Sequence, residues 1–426
     1  MQLKTTIQVY FHPYHLEEPV QIGTLTAQHV KTKKAFSFEY EPEWLISKNK
    51  FLLDPEIHLY RGAQYPINKE NFGVFADAMP DSWGRKLMQR RAAQKAKEKN
   101  EKPGKLYELD YLLGVHDLTR MGALRFKTDP EGPFLDNDNH QPAPPWTSLR
   151  ELQHTAAIFE DDAEHITRGQ LELLFNPGSS LGGARPKANV TDESGELWIA
   201  KFPSSSDNME KAAWEYLAHL LAVQSGLNMA DCKLEHIYGK HRTFFTKRFD
   251  REGTRRIHFS SAMTMTGNNE DLIRDRKPSY LEIAEFMLTE QRSAIADLPQ
   301  LWRRIVFNIA ISNTDDHLRN HGFLLGAQGW QLSPAFDLNP SVDKAGLGLN
   351  IDLENNDLDL DLAKSVGSYF QLTNDEMDHI IEEVAEGTAN WREVATGLNI
   401  PRMEQERMAP AFTLDNDRSL RRGRGR

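Results

Sequence analysis

Between two apolar runs the chain carries SNTDDHLRNHGFLLGAQGWQLSPAFDLNPS, residues 312–341, where charged, amide and imidazole side chains concentrate. Asp315 and Asn320 stand five residues apart, and Asp337 follows two short apolar segments, Gly322–Leu325 and Trp330–Leu332. Phosphoryl transfer needs a carboxylate to orient the attacking hydroxyl, an oxygen ligand close behind it for a magnesium ion, and a second carboxylate on a separate segment. The spacing D-x-x-x-x-N supplies the first two, and an aspartate beyond the next hairpin supplies the third. The common tags are absent: no His-Arg-Asp precedes the loop, and Leu338 and Asn339 follow Asp337 where Phe-Gly would stand. The competing reading is punctuation. Trp302, Ile305, Val306 and Ile309 recur at helical spacing, so Asn313–Asp316 could serve as a helix stop. A stop accounts for one or two polar residues, but not for Asp315, Asp316, His317, Arg319, Asn320 and His321 together.

A second stretch, NPGSSLGGARPKANV (176–190), places Gly178, Gly182 and Gly183 where backbone amides can approach an anion, with Lys187 as a nearby point charge. It is neither a Walker loop nor GxGxxG, and a glycine-rich hairpin between strands is the alternative. The next elements narrow the choice. ELWIAKF (196–202) reads as a strand with one lysine, Lys201, among apolar residues. Burying that lysine is costly unless a phosphate or carboxylate answers it. A helix is expected over 209–225, with Ala213, Leu217, Leu220 and Leu221 on its core side and Glu215 on another face beside Ala218 and Ala222. Glycine loop, strand lysine and helix glutamate follow one another as in a kinase small lobe. Taken singly, Lys201 snorkelling at a strand end and Glu215 as an exposed helix carboxylate are the bland alternatives. RTFFTKRFD (242–250) adds a strand at the position of a hinge between lobes.

These groups need a large body to position them, and 426 residues can supply one. The expected fold class is α+β: a two-lobed, protein-kinase-like fold with a small N-terminal β-rich subdomain and a helical C-terminal lobe. Thr5–Phe11, Ile22–Thr26 and Ala35–Tyr40 alternate as short strands. Pro80 and Asp81 mark a helix start, with Trp83, Leu87 and Met88 on its apolar side, and the mixed charges from Arg90 to Lys105 read as a solvated helix end and loop. Tyr111–Phe126 is an ordered element, Asp129–Pro145 carries five prolines and reads as a linker, and Ser148–Phe159 is a helix. The expected divisions are 1–128, a linker 129–147, a small lobe 148–250, a catalytic lobe 251–420 and a basic tail 421–426.

Composition excludes several classes. A net charge of −11 argues against a free-standing nucleic-acid binder, and the arginine-rich tail reads as a disordered end. The single Cys232 excludes a disulfide framework and a cysteine zinc site. No window approaches the ~18 apolar residues of a membrane span, and no signal segment opens the chain, so a cytoplasmic protein is expected. The acidic run around Asp357, Asp359 and Asp361 fails the EF-hand pattern at Leu362 and Ser368 and reads as a solvated loop.

With those residues in place, the chain resembles the HipA-type serine/threonine kinases, the toxins of bacterial toxin–antitoxin modules. FGVFADAMPDSWGR and RMGALRF resemble the family's N-terminal subdomain, SSLGGARPKA its glycine-rich loop and IAKFP its lysine strand. KRFDR resembles the hinge, RIHFSSAMTMTG a segment between lobes, NTDDHLRNHGF the catalytic loop and LSPAFDLNPS the metal segment. The resemblance implies Asp315 as catalytic base, with Asn320 and Asp337 holding magnesium. It implies ATP contacts from Ser180, Leu181, Gly182, Gly183, Lys187, Lys201, Glu215, Lys247, Phe249 and His317 as well as from Asn320 and Asp337. Ser180, or its neighbour Ser179, falls where family members phosphorylate themselves; about −1.5 to −2 of added charge beside a triphosphate explains how that silences them. Some members carry an acid where Lys247 stands. The resemblance further implies a small helix-turn-helix antitoxin that ties the complex to DNA, no membrane, and an aminoacyl-tRNA synthetase as substrate. The alternative from another class is a catalytically weak, kinase-shaped partner in an antitoxin–operator repression complex.

Overall fold

The computed structural model describes residues 4–30, 33–80, 82–136, 143–164, 166–178, 183–290, 294–412 and 414. It divides into two compact units, one of residues 1–206 and 236–260, the other of residues 207–235 and 261–426.

The first unit opens with an antiparallel meander, Lys4–Phe11, Val20–Val30 and Lys33–Tyr40, where the three strands were expected. Alternation dictates the buried face: Ile7, Val9 and Phe11 are 0–1% exposed, and Leu25 and Phe38 lie opposite one another in register. Leu124–Lys127 joins the free side of the first strand, so the Tyr111–Phe126 stretch resolves into a short helix, Glu108–Leu113, a loop and a strand. The Ser82–Glu98 helix buries Trp83, Leu87 and Met88. Its first turn reaches the end of the glycine-rich segment, since the Trp83 amide donates to Gly183 O at 3.1 Å and its indole Nε1 to Lys187 O at 3.0 Å.

Three antiparallel strands follow: Lys187–Thr191, Leu197–Lys201 and Thr243–Lys247. Residues after the prolines pack on them, with Thr191 N bonded to Pro144 O at 3.0 Å and Trp146 stacked on Phe245 at 4.4 Å. The turn after the third strand buries Arg248, Asp250 and Arg251. Arg248 grips both Asp250 oxygens, at 2.8 and 2.7 Å, and reaches Asn189 Oδ1 at 2.9 Å and Thr119 O at 2.6 Å. Arg251 adds a 2.6 Å contact to Asp250. Burial pushes the Asp250 carboxyl up, but the two guanidiniums outweigh it and hold it far below the carboxylate range. Isolated, such a charge would be ruinous; paired this way it locks the segment at 117–125 to the sheet.

The second unit is helical. The Ala294–Ala310 helix is its axis, with Leu298, Leu301, Trp302, Ile305, Val306 and Phe307 all at 0% exposure, as their spacing required. The Lys211–Gln224 helix buries Ala213, Leu217 and Leu221, but Ala218 and Ala222 are equally enclosed, whereas Leu220 is half-buried. The helix is therefore covered on two sides. One cover is the Asn374–Thr388 helix, whose Gly387 allows close approach: a Cβ there would fall 2.3 Å from Ser225 Oγ and 2.7 Å from its amide nitrogen. Another is an aromatic stack in which Trp391 lies on Phe412 at 4.1 Å beside Trp214. The acidic run corrects the loop expectation: Asp359 caps a helix, Leu360–Ser365, by accepting from Asp361 N at 2.7 Å. An aspartate ahead of Leu-Asp-Leu-Ala is an N-cap signal. No helix among the described residues is long and apolar enough to cross a membrane.

Candidate active site

The Ala294–Ala310 helix ends in a turn at Ile311 and Ser312, and Ser312 takes a left-handed φ of 51°. The chain then presents Asp315 and Asp316 in opposite senses. Asp315 is 81% exposed at its side chain; Asp316 is 1% exposed. One oxygen, Asp316 Oδ2, accepts from Tyr280 Oη at 2.5 Å, His321 Nε2 at 2.8 Å and Asn308 Nδ2 at 2.9 Å. Burial alone would raise its pKa, but His321 and Tyr280 outweigh it and hold the carboxyl below its ordinary range. Burial and the same carboxylate push the Tyr280 phenol well up, so it stays a donor. Asn313 completes the bracket, donating to Asn308 Oδ1 at 3.0 Å.

Asn320 lies in a short 3₁₀ turn, Leu318–Asn320, and is buried. Its Nδ2 donates to Asp315 O at 3.4 Å, so the side-chain carbonyl oxygen is the end that could hold a metal ion. The hairpin Gly322–Gly326 and Gly329–Leu332 forms where expected. Beyond it the chain returns to the turn: Asn339 N donates to Asn313 Oδ1 at 3.4 Å and Ser341 N to Ser312 O at 3.2 Å. Between the hairpin and these anchors Asp337 is exposed with φ of 61°, a left-handed conformation that costs on the order of 1 kcal/mol and recurs at functional sites. His317 is exposed on the same turn, and Glu215 is half-buried on the Lys211–Gln224 helix. Lys344 Nζ stands 3.4 Å from Asp315 Oδ1.

In the first unit, Lys187 and Lys201 are direct cross-strand partners. Gly183 has φ of 79°, a conformation that favours glycine, and Lys187 Nζ lies against it, 2.5 Å from where a Cβ would stand. Lys201 Nζ lies 5.5 Å from the Phe244 ring centre. Lys247 reaches Glu196 Oε2 at 3.4 Å, and Phe249 packs on Phe259. Ser179, Ser180, Leu181 and Gly182 lie outside the described residues.

Sequence reasoning passed over Tyr280, Asn308 and Lys344. Tyr280 sits 36 residues before Asp316, and no spacing rule links them. The adjacent pair Asp315-Asp316 held the one usable signal, because a turn that exposes one aspartate turns its neighbour inward.

The donor set suits magnesium held with phosphate rather than a cage of protein ligands. Among the described residues no three His, Cys, Asp or Glu side chains cluster to hold a metal, and Asn320 Oδ1 and the Asp337 carboxylate are hard oxygen donors.

Strands stitched around a lysine pair in one unit, and an exposed aspartate braced by a buried one in the other, make an α+β protein with the HipA-like architecture. Residues 16–108 match the HipA N-terminal domain and residues 179–391 the HipA-like C-terminal domain. The chain belongs to the HipA family. It is 25% identical over 259 residues to the serine/threonine-protein kinase toxin HipA of Shewanella oneidensis, a match covering 54% of this chain and 56% of that protein. The chain thus spans about half the length of that curated relative. Its fold is similar to that of a chain in the Shewanella oneidensis MR-1 complex of HipA, HipB and operator DNA, with a TM-score of 0.63, 18% identity and 97% of each chain covered. The Helicobacter pylori proinflammatory kinase CtkA aligns at a TM-score of 0.34 and 13% identity over 50% of this chain, too distant to carry an argument.

Proposed function

We propose that the chain is a Mg-ATP-dependent protein serine/threonine kinase of HipA type, acting as a toxin. The observation that carries this is the Asp315–Asp316 pair. A carboxylate is held out in solvent by a neighbour whose three hydrogen bonds fix the turn from below.

Asp315 orients the acceptor hydroxyl and takes its proton as the hydroxyl oxygen bonds to the γ-phosphorus and the bond to the β,γ-bridging oxygen breaks. Lys344 sets the charge beside that carboxylate. Asn320 Oδ1 and Asp337 are the magnesium ligands, and the bound ion supplies charge neutralisation on the phosphates. Lys201 and Lys187 hold phosphate oxygens, Glu215 takes the small-lobe glutamate's part, and Lys247, Phe249 and His317 contact the nucleotide. Ser180 or Ser179 is the self-phosphorylation site, on a loop completed by Leu181 and Gly182. In this assignment 1–128 is the N-terminal subdomain, 148–250 the small lobe and 251–420 the catalytic lobe. The similarity to proteins named as a HipA kinase toxin and as a HipA–HipB–DNA complex supports a helix-turn-helix antitoxin partner, with DNA engaged through it. An aminoacyl-tRNA synthetase in the cytoplasm is the proposed acceptor.

The test is transfer of the γ-phosphoryl group to a serine-containing protein by wild type, Asp315→Ala and Asp337→Ala. Loss of a positioned base costs about 10²–10⁴-fold. Full activity in either folded variant would sink the assignment.

A further inference from the structure

A cleft of about 440 Å³ opens in the first unit, on residues that the phosphoryl-transfer reading does not use. Three segments wall it: the turn after the first strand, with His12 and His15; the Asp117–Arg125 segment; and the hairpin carrying Thr254, Arg255 and Arg256. Backbone bonds hold them together, His12 N to Ala123 O at 2.9 Å and Tyr14 N to Arg256 O at 2.6 Å, so the walls are set before any ligand arrives.

The charge behind this cleft is unbalanced. Arg120, Arg125, Arg248, Arg251 and Arg256 are buried or nearly so, and the carboxylates that face them are Asp117, Asp250 and Asp136. Five guanidiniums against three carboxylates leave an excess of two positive charges, in a chain whose net charge is −11. Asp117 is already saturated, gripped by Arg125 at 2.6 Å and by Arg256 at 3.2 Å. Burial lowers the pKa of His12, and Arg125 and Arg256 add to that against the opposing pull of Glu17 and Glu18. At the mouth, Arg255, Thr254 and His15 are exposed, and none makes a side-chain hydrogen bond or ion pair among the described residues.

Glu17 on the wall itself, Glu18 next to it and Glu252, the cross-strand partner of Arg255, are all exposed and give the rim the opposite sign. A polyanion such as nucleic acid needs a basic approach surface, and this rim repels it. A small dianion entering the cleft passes the rim once and meets the field behind. The volume falls in the range of small-molecule sites, roughly 300–1,000 Å³. A planar carboxylate takes donors in one plane, whereas a tetrahedral phosphate takes them from several directions, and the candidate donors here come from two separate walls, His15 on the turn and Thr254 and Arg255 on the hairpin.

We propose that this cleft binds a small phosphate monoester, with Arg255, Thr254 and His15 as the direct donors and Arg125 and Arg256 as the fixed positive field. The −1.5 to −2 charge of such a group matches the interior excess.

The probe is inorganic phosphate, titrated into the full chain at constant ionic strength against chloride and followed by the imidazole Cε1–H signals of His12 and His15. The His12→Gln and His15→Gln variants assign those signals. The expected result is a saturable shift of the His15 signal with half-saturation on the order of 1 mM, and a His15 pKa that rises with phosphate bound. Arg255→Ala should weaken it at least about tenfold, the worth of one charge-assisted contact, and Lys201→Ala should leave it unchanged. A His15 signal that moves no more with phosphate than with chloride overturns the proposal. So does an affinity that survives Arg255→Ala, or one that Lys201→Ala abolishes, which would place the phosphate elsewhere.

Discussion

Replacing Asp316 by asparagine changes one atom and one charge beneath the turn that carries Asp315, and its cost can be worked from the contacts. Three donors, from Tyr280, His321 and Asn308, converge on a single carboxylate oxygen. A hydrogen bond to a charged group contributes about 1.5–3 kcal/mol and a neutral one about 0.5–1.5. Asp316→Asn should therefore lose about 1 kcal/mol per bond, or about 3 kcal/mol, which is somewhat over a hundredfold in a local opening constant. Because the two units need not unfold together, native-state hydrogen exchange is the suitable assay, read at the amides of Asn313 and Asn320. The sign with pH is equally specific. The Asp316 carboxyl is held below its ordinary range, so its contribution is present above the unfolded pKa and lost as pH falls through the folded one. Wild type should lose protection on acidification below about pH 4, and Asp316→Asn should lack that component. Exchange at pH 7 within threefold of wild type would refute the reasoning, because the oxygen would then not be carrying the turn.

Gly387→Ala should lower the melting temperature of the second unit. Its Cβ would stand 2.7 Å from the Ser225 amide nitrogen, and overpacking of about 1–3 kcal/mol exceeds the helix-propensity gain of about 1 kcal/mol. An unchanged or raised melting temperature would show that the two helices separate freely. His258 in the first unit is pushed down to about 3 by burial, packed against the rings of Phe11 and Phe51. Its folded pKa lies below the unfolded value of 6.5, so stability is whole above 6.5 and declines as pH falls towards 3. Between pH 6.5 and 4.5 the loss should be about 2.3 kcal/mol. Burial lowers the pKa values of His12 and His15 as well, so the comparison is with His258→Leu by thermal melts. An identical pH slope in both proteins would remove His258 as its source.

Periodicity carried the local elements well. The alternation of Ile7, Val9 and Phe11 and the helical recurrence of Trp302, Ile305, Val306 and Ile309 each identify the face that becomes buried. The spacing of Asp315, Asn320 and Asp337 was equally visible, since the turn and hairpin that order them are local. What stayed hidden depends on distant partners. Tyr280 meets Asp316 across 36 residues, and Arg248 meets Thr119 across 129. KRFDR reads as a strand and turn, and nothing in it says that Arg248, Asp250 and Arg251 all face inward. The chain also passes between its units after residues 206, 235 and 260; the turn residues Pro203 to Asn208 mark the first crossing, whereas no comparable run marks the other two. Asp359 was legible in principle, for an aspartate before a short apolar-periodic run is a cap, but the density of acids around it favoured a loop.

The most direct test of the central claim is the intact mass of the purified chain, shown to start unmodified and to bind ATP, after incubation with Mg-ATP, for wild type and Asp315→Ala side by side. Wild type should gain phosphate, mapped to Ser180 or Ser179, and the variant none. No gain on either, or an equal gain on both, would contradict a kinase whose base is Asp315.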